Sequence, residues 1–411
     1  MLSAVILGGV TGCSEENETP DEAVNQPVVS NPALNDFIIT SRRGTMVTVD
    51  AQTGQEQILL TFDNFIRPIN IADYTNGFIV FPTNDNSVNA VDAVSGDFKW
   101  ETPMLEYTSH RADISSTVCQ DGTCYTSGAF GVIVAVNALD GEVQWHYTID
   151  TEGTLDNLEN AVYTPVVRGN RIYALSAALD DEPAYLHVLD KATGTLLTKR
   201  ELPYNPTGEP TFDGDLLLVP AYDLLALNAE TLETIWTFVS NRVGTPSVAG
   251  NRIAVQGIPP DDEFFSELYC LDRNTGEPIW QVDTGVRATW DPVIVGNQVI
   301  GVFEANPVAG FDDRNGRPFA VRLSDGSEVW SRRDIETVQS PTYANGRLFF
   351  HGSLISDGGI GLTCLDAASG EVLWLNDYFR DGSANPATMP PVVVAQNGNF
   401  GPSYYRGSPG D

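Results

Sequence analysis

The chain has 411 residues, room for two or three ordinary domains or one large all-β domain. Its 55 acidic residues against 22 Lys and Arg give a net charge of −33, which repels phosphates at long range and excludes nucleic acid as a partner. An apolar fraction of 42% with 37 Gly and 25 Pro fits a turn-rich globular protein, and the acidity reads as a solvated surface.

In chain order, the first feature is "MLSAVILGGVTGC". Its apolar run is far shorter than the roughly 20 residues a spanning helix needs. It closes on Val10-Thr11-Gly12-Cys13, which resembles the lipobox of an exported lipoprotein. That implies a signal segment over 1–12 and a lipidated Cys13 at the start of the mature chain. No Lys or Arg precedes the apolar run, a departure from the usual signal that an upstream start would remove. Residues 13–32, polar, acidic and Pro-containing, read as a flexible tether. Residues 33–411 form the body.

One pattern recurs through that body: "TVDAQTGQEQI", "AVDAVSGDFKW", "AVNALDGEVQW", "VLDKATGTLLT", "ALNAETLETIW", "CLDRNTGEPIW", "AVRLSDGSEVW" and "CLDAASGEVLW". The turn positions are Gly54, Gly96, Gly141, Gly194, Leu232, Gly276, Gly326 and Gly370. A period of about 45 residues with strand-like units signals a β-propeller, and eight copies predict eight blades. The alternation before each turn predicts a half-buried strand. The Asp or Asn can cap the turn amides while Gly supplies the positive φ. Four residues after the turn position stand Trp100, Trp145, Trp236, Trp280, Trp330 and Trp374, replaced by Ile58 in the first copy and Thr198 in the fourth. Such a row is docking material between neighbouring blades.

A second tight hairpin precedes each copy except the first, as in "YTNGFIV", "CQDGTCY" and "YANGRLF". The expected fold is therefore an all-β, eight-bladed propeller of four-stranded antiparallel blades. The C-terminal "PPVVVAQNGN" is expected to supply the strand the first copy lacks and to close the ring.

Ala90, Asp92, Ser95, Gly96 and Trp100 match A-x-D-x-x-T-G-x-x-x-W, so the pattern resembles the PQQ-like propeller repeat family over roughly residues 31–400. Within it, the short lipidated form is most similar to outer-membrane assembly lipoproteins. That resemblance implies a non-catalytic, exported, membrane-anchored scaffold on the periplasmic or cell-surface side. It further implies a monomer, without cofactor, holding membrane-associated protein partners. The alternatives are a small quinoprotein-type dehydrogenase binding PQQ with calcium, and a ligand-binding sensor. The quinoprotein dehydrogenases of this family are longer and use adjacent cysteines and a calcium site. This chain has no Cys-Cys pair, and its four His (110, 146, 187, 351) lack metal-ligand spacing. No catalytic or metal-binding residue is assigned.

Cys119 and Cys124 flank the turn Asp121-Gly122. A two-residue loop would make them a non-hydrogen-bonded pair close enough for a cross-strand disulfide. Cys270 and Cys364 stand where other copies carry Ala or Thr, as buried free thiols. All long insertions fall on one face of the expected disc, and variable loops on a rigid support are where recognition resides. Phe264, Phe265, Tyr185 and Phe311 are the candidate binding aromatics. Arg67, Arg111, Arg242 and Arg287 each precede an innermost strand, either ringing the central channel or pairing locally with acids such as Asp113 and Asp291.

Overall fold

The computed structural model describes residues 36–42, 45–62, 72–83, 85–104, 114–128, 131–149, 162–177, 183–262, 265–286, 290–304, 316–337, 340–354, 361–376, 391–395 and 398–400. Cys13, the expected lipidation site, the expected signal segment over 1–12 and the whole tether over 13–32 lie outside them. Every described strand pairing is antiparallel, and the second to fifth repeats each form one four-stranded sheet in chain order. The second, for example, runs Asp73–Thr75, Phe78–Thr83, Ser87–Asp92 and Phe98–Pro103.

Two expectations about the architecture are corrected. The described strands make seven sheets of four to nine strands, not eight separate four-stranded blades. The seventh and eighth repeats merge because Ile335–Thr337 pairs with Gly352–Leu354 on one side and reaches Gly316 on the other. A Cβ at Gly352 would run into the Glu336 carbonyl, so glycine there admits the bridging strand. Nor does any strand close a sheet into a ring. Val392–Ala395 joins Phe37–Arg42 within the first sheet, extending it to five strands. Hydrogen-bonded ladders stay inside the sheets, and side chains make the junctions between them.

The core is divided accordingly. Each buried cluster is shared by successive repeats, such as Val80, Val88 and Ala90 with Val132, Val134 and Val136. Another joins Phe349, Leu362 and Cys364 of the eighth repeat to Ile38, Val47 and Val49 of the first. The Trp residues seal these seams. Trp100 lies on Gly141, Trp145 on Gly194, Trp236 on Gly276, Trp280 on Gly326, Trp330 on Gly370 and Trp374 on Gly54. Each indole N–H donates to a backbone carbonyl of the same neighbour, from Trp100 to Ala138 at 3.0 Å through Trp374 to Ala51 at 3.2 Å. The turn acids cap their own loops: Asp92 Oδ1 accepts from the Val94 and Ser95 amides at 3.0 Å, which holds its carboxyl below the usual range.

At the junction of the fourth and fifth repeats both halves of the device are missing, since Thr198 replaces Trp and Leu232 replaces Gly. Tyr173 Oη takes the vacant role, donating to the Ala229 carbonyl at 3.2 Å, and Arg200 donates to the Leu232 carbonyl. A pocket of about 490 Å³ remains there, lined by Arg200, Tyr204, Asp223 and Thr234 among others.

Candidate functional site

Of the candidate binding aromatics, Phe264 and Phe311 lie outside the described residues. Phe265 is 39% exposed, and its amide donates to Asp262 Oδ1 at 3.2 Å. Tyr185 is half-buried, lies 5.9 Å from the His187 ring and sits beneath the Lys199 ammonium at 4.5 Å. Arg67, Arg111 and Arg287 also fall outside the described residues. Arg242 is exposed on the short strand Arg242–Val243, and its charge reaches Tyr163, where it opposes the upward shift that burial imposes on that phenol.

The cysteines are placed. Cys119 and Cys124 are opposite one another in the hairpin register and form a disulfide with Cα atoms 4.0 Å apart. The Cys119 amide donates to Asp73 Oδ2 of the preceding repeat at 2.6 Å. Cys270 and Cys364 are free and buried; burial pushes their thiols up to about 11 and about 12, so neither is a nucleophile at neutral pH.

Among the described residues, one polar arrangement falls outside the repeat motif. Five connections carry a polar residue before proline: Thr164-Pro165, Glu209-Pro210, Thr245-Pro246, Asp291-Pro292 and Ser340-Pro341. Proline disfavours helix at the residue before it and leaves that residue extended. Each of these residues then reaches across a seam. The Thr164 amide donates to Glu209 Oε1 at 3.2 Å, and the Glu209 amide to Thr245 Oγ1 at 3.1 Å. The Thr245 amide donates to Asp291 Oδ1 at 2.8 Å, and the Asp291 amide to Ser340 Oγ at 3.0 Å. The result is a relay in which each repeat's backbone is held by the next repeat's side chain. The recurring polar-Pro dipeptide was the available sequence signal.

Electrostatics in the relay are uneven. Burial pushes Glu209 up to about 8, nearby Asp291 adds to the shift, and the hydrogen bonds to Thr164 oppose it. Burial raises Asp291 to about 6 against its bonds to Thr245 and Ser340. At neutral pH Glu209 is therefore mostly a protonated acid, while Asp291 is mostly ionised. Glu209 Oε2, Thr207 Oγ1 and Trp290 Nε1 are buried with no hydrogen-bond partner. All three belong to the two relay segments, Thr207–Glu209 and Trp290–Asp291. Among the described residues no His, Cys, Asp and Glu gather into a group that could hold a metal ion. His187, by contrast, is structural: it is 1% exposed and bonds Ser176 Oγ at 3.0 Å, and burial lowers it to about 4.

A family model described as outer membrane protein assembly factor BamB matches residues 25–219, 224–319 and 265–399. The sequence is 25% identical over 246 residues to BamB of Burkholderia pseudomallei, covering 55% of this chain and 59% of that protein. It is 27% identical over 163 residues to a quinohemoprotein alcohol dehydrogenase of Comamonas testosteroni, covering 36% of this chain and 22% of the dehydrogenase. The chain thus spans about three fifths of the Burkholderia relative. The crystal structure of BamB from Moraxella catarrhalis superposes with a TM-score of 0.52 at 16% identity, covering 76% of this chain and 92% of that one. At that identity the likeness concerns the fold.

Proposed function

Because the chain belongs to the family described as outer membrane protein assembly factor BamB, we propose that it is a non-catalytic scaffold that holds protein partners at the outer membrane, anchored through Cys13. The observation that carries this reading is where the polar side chains are spent. Turn acids cap their own loops, indoles dock on the next repeat, and the residues before proline tie backbone to backbone across seams. What such a body offers is a rigid support for its inserted loops, with Phe265 exposed beside one of them. The test is cross-linking and pull-down from detergent-solubilised membranes. Wild type should retain a membrane-protein partner that Phe264→Ser with Phe265→Ser loses at unchanged thermal stability, and Cys13→Ser should move the protein into the soluble fraction. Unchanged capture by the double variant, or unchanged fractionation with no acyl mass on the mature N-terminus, overturns the corresponding half.

A second reading, a small-ligand sensor, is favoured by the three buried polar groups at Glu209, Thr207 and Trp290. With Glu209 protonated, all three present donors, which suits a ligand rich in acceptor oxygens. The set fits a calcium-held quinone poorly, because Glu209 Oε1 and Asp291 Oδ1 already accept amides and no third carboxylate or His joins them among the described residues. Equilibrium dialysis with PQQ and calcium tests the quinone-cofactor alternative: saturable micromolar binding would favour a formed cofactor site over the scaffold.

A further inference from the structure

Among the described residues, Arg317 keeps two of its three guanidinium nitrogens without an acceptor. It lies near the start of the strand Gly316–Arg322, directly opposite Phe303 in the register, so the two side chains share a face. The residue is only 7% exposed. Its Nη2 donates to Glu336 Oε1 at 3.3 Å, whereas Nε and Nη1 are buried and have no acceptor. Burial pulls its pKa down, with Glu336 and Asp334 opposing, yet a guanidinium stays charged in any protein interior. One long contact to a partly exposed carboxylate is weak compensation for a buried cation with idle donors.

A second arginine converges on the same place. The Arg333 guanidinium lies over the Phe303 ring, 5.3 Å from its centroid, and Phe319 braces that ring edge-on at 5.6 Å. Neighbouring Arg332 is already committed, to Asp334 at 2.7 and 2.8 Å and to the Gly370 carbonyl at 2.6 Å. On a chain of net charge −33, one guanidinium over a braced aromatic and a second on the strand position opposite it make a local cationic spot. Planar donors aimed from a rigid strand are the geometry that carboxylate and phosphate oxygens match.

We propose that Arg317 and Arg333, set against Phe303, form an oxyanion site that takes a carboxylate or phosphate group from a ligand. This is independent of the scaffold reading and uses none of its residues. Arg317 supplies the buried, oriented donors through Nε and Nη1; Arg333 supplies charge at the rim.

The experiment uses the full chain, titrated with acetate and separately with inorganic phosphate at constant ionic strength. Binding is read by calorimetry and by the melting temperature. Saturable binding is expected, with the tighter anion identifying the ligand chemistry. Arg317→Lys keeps the charge but loses the planar donor set, and should weaken binding by about tenfold or more. Arg333→Ala, an exposed change that leaves the fold alone, should weaken it by a smaller factor. The proposal falls if neither anion saturates wild type, or if both variants bind as wild type does.

Discussion

Gly141→Ala tests whether the Trp-on-Gly seam is a steric device or only a turn requirement. Gly141 has φ +73°, and a Cβ built there would lie 2.5 Å from Trp100 Cε3 and 2.7 Å from Cδ2. Gly77 has φ +86° with nothing within 4 Å of the same added atom. Alanine at Gly77 therefore incurs left-handed backbone strain alone, roughly 1–2 kcal/mol. At Gly141 it incurs that strain plus overpacking against a rigid indole, about 1–3 kcal/mol more. Trp100→Ala removes a 7% exposed ring and its bond to Ala138, at about 3–5 kcal/mol. In that background the indole contacts are gone and only Thr102 Oγ1, 2.8 Å from the added Cβ, still crowds it, so Gly141→Ala should then cost less than it does in wild type. The coupling between Trp100 and Gly141 should equal the indole's share of the overpacking, up to about 1–3 kcal/mol. Urea unfolding followed by circular dichroism gives the four stabilities. Amide exchange across the hairpin Val132–Asn137 and Val143–Thr148 checks that the loss is local, since repeat arrays can depart from two-state behaviour. Equal losses at Gly77 and Gly141, or a vanishing coupling, would refute the steric account.

Stability should also depend on pH in two opposing windows. His187 is lowered to about 4 by burial, with Lys199 adding to it, so the unfolded chain binds its proton first. Stability is then lost as pH falls from about 6.5 to about 4, by up to roughly 3 kcal/mol, and His187→Gln should flatten that limb of the pH–stability curve. Glu209 is raised to about 8, so its contribution runs the other way, falling as pH rises from the ordinary carboxyl range through about 8; Asp291, raised to about 6, adds to that fall only below about 6, so Glu209→Gln should remove the slope between about 6 and 8, and an unchanged slope there refutes the assignment. Cys270 and Cys364 should react with a thiol reagent only on unfolding, and Cys119 and Cys124 only after reduction; labelling of Cys119 in non-reduced, denatured protein would deny the bridge. Tyr173→Phe should weaken the fourth seam by about 1 kcal/mol through its bond to Ala229, and no change would show that this bond adds nothing to the seam.

Local chemistry repeated along the chain determined a good deal of this. The Asp-x-x-x-Gly turns, the alternating strands and the Trp four residues on are short-range features, so the antiparallel sheets, the docking residues and the Cys119–Cys124 hairpin could be read from spacing alone. The acids and arginines could be counted but not placed, because their ionisation depends on what other repeats bury them. Glu209 and Asp291 lie 82 positions apart in chain numbering, and only packing puts Thr245 between them. The merging of the last two repeats likewise rests on a three-residue strand and on Gly316 and Gly352, too short a signal to compete with the repeat's own period. At the fourth seam the sequence announced a missing Trp; that Tyr173, from a strand in the middle of its sheet, takes over the bond to Ala229 was decided by tertiary structure, since a hydrogen bond needs its two atoms within reach and 56 residues of chain separate these.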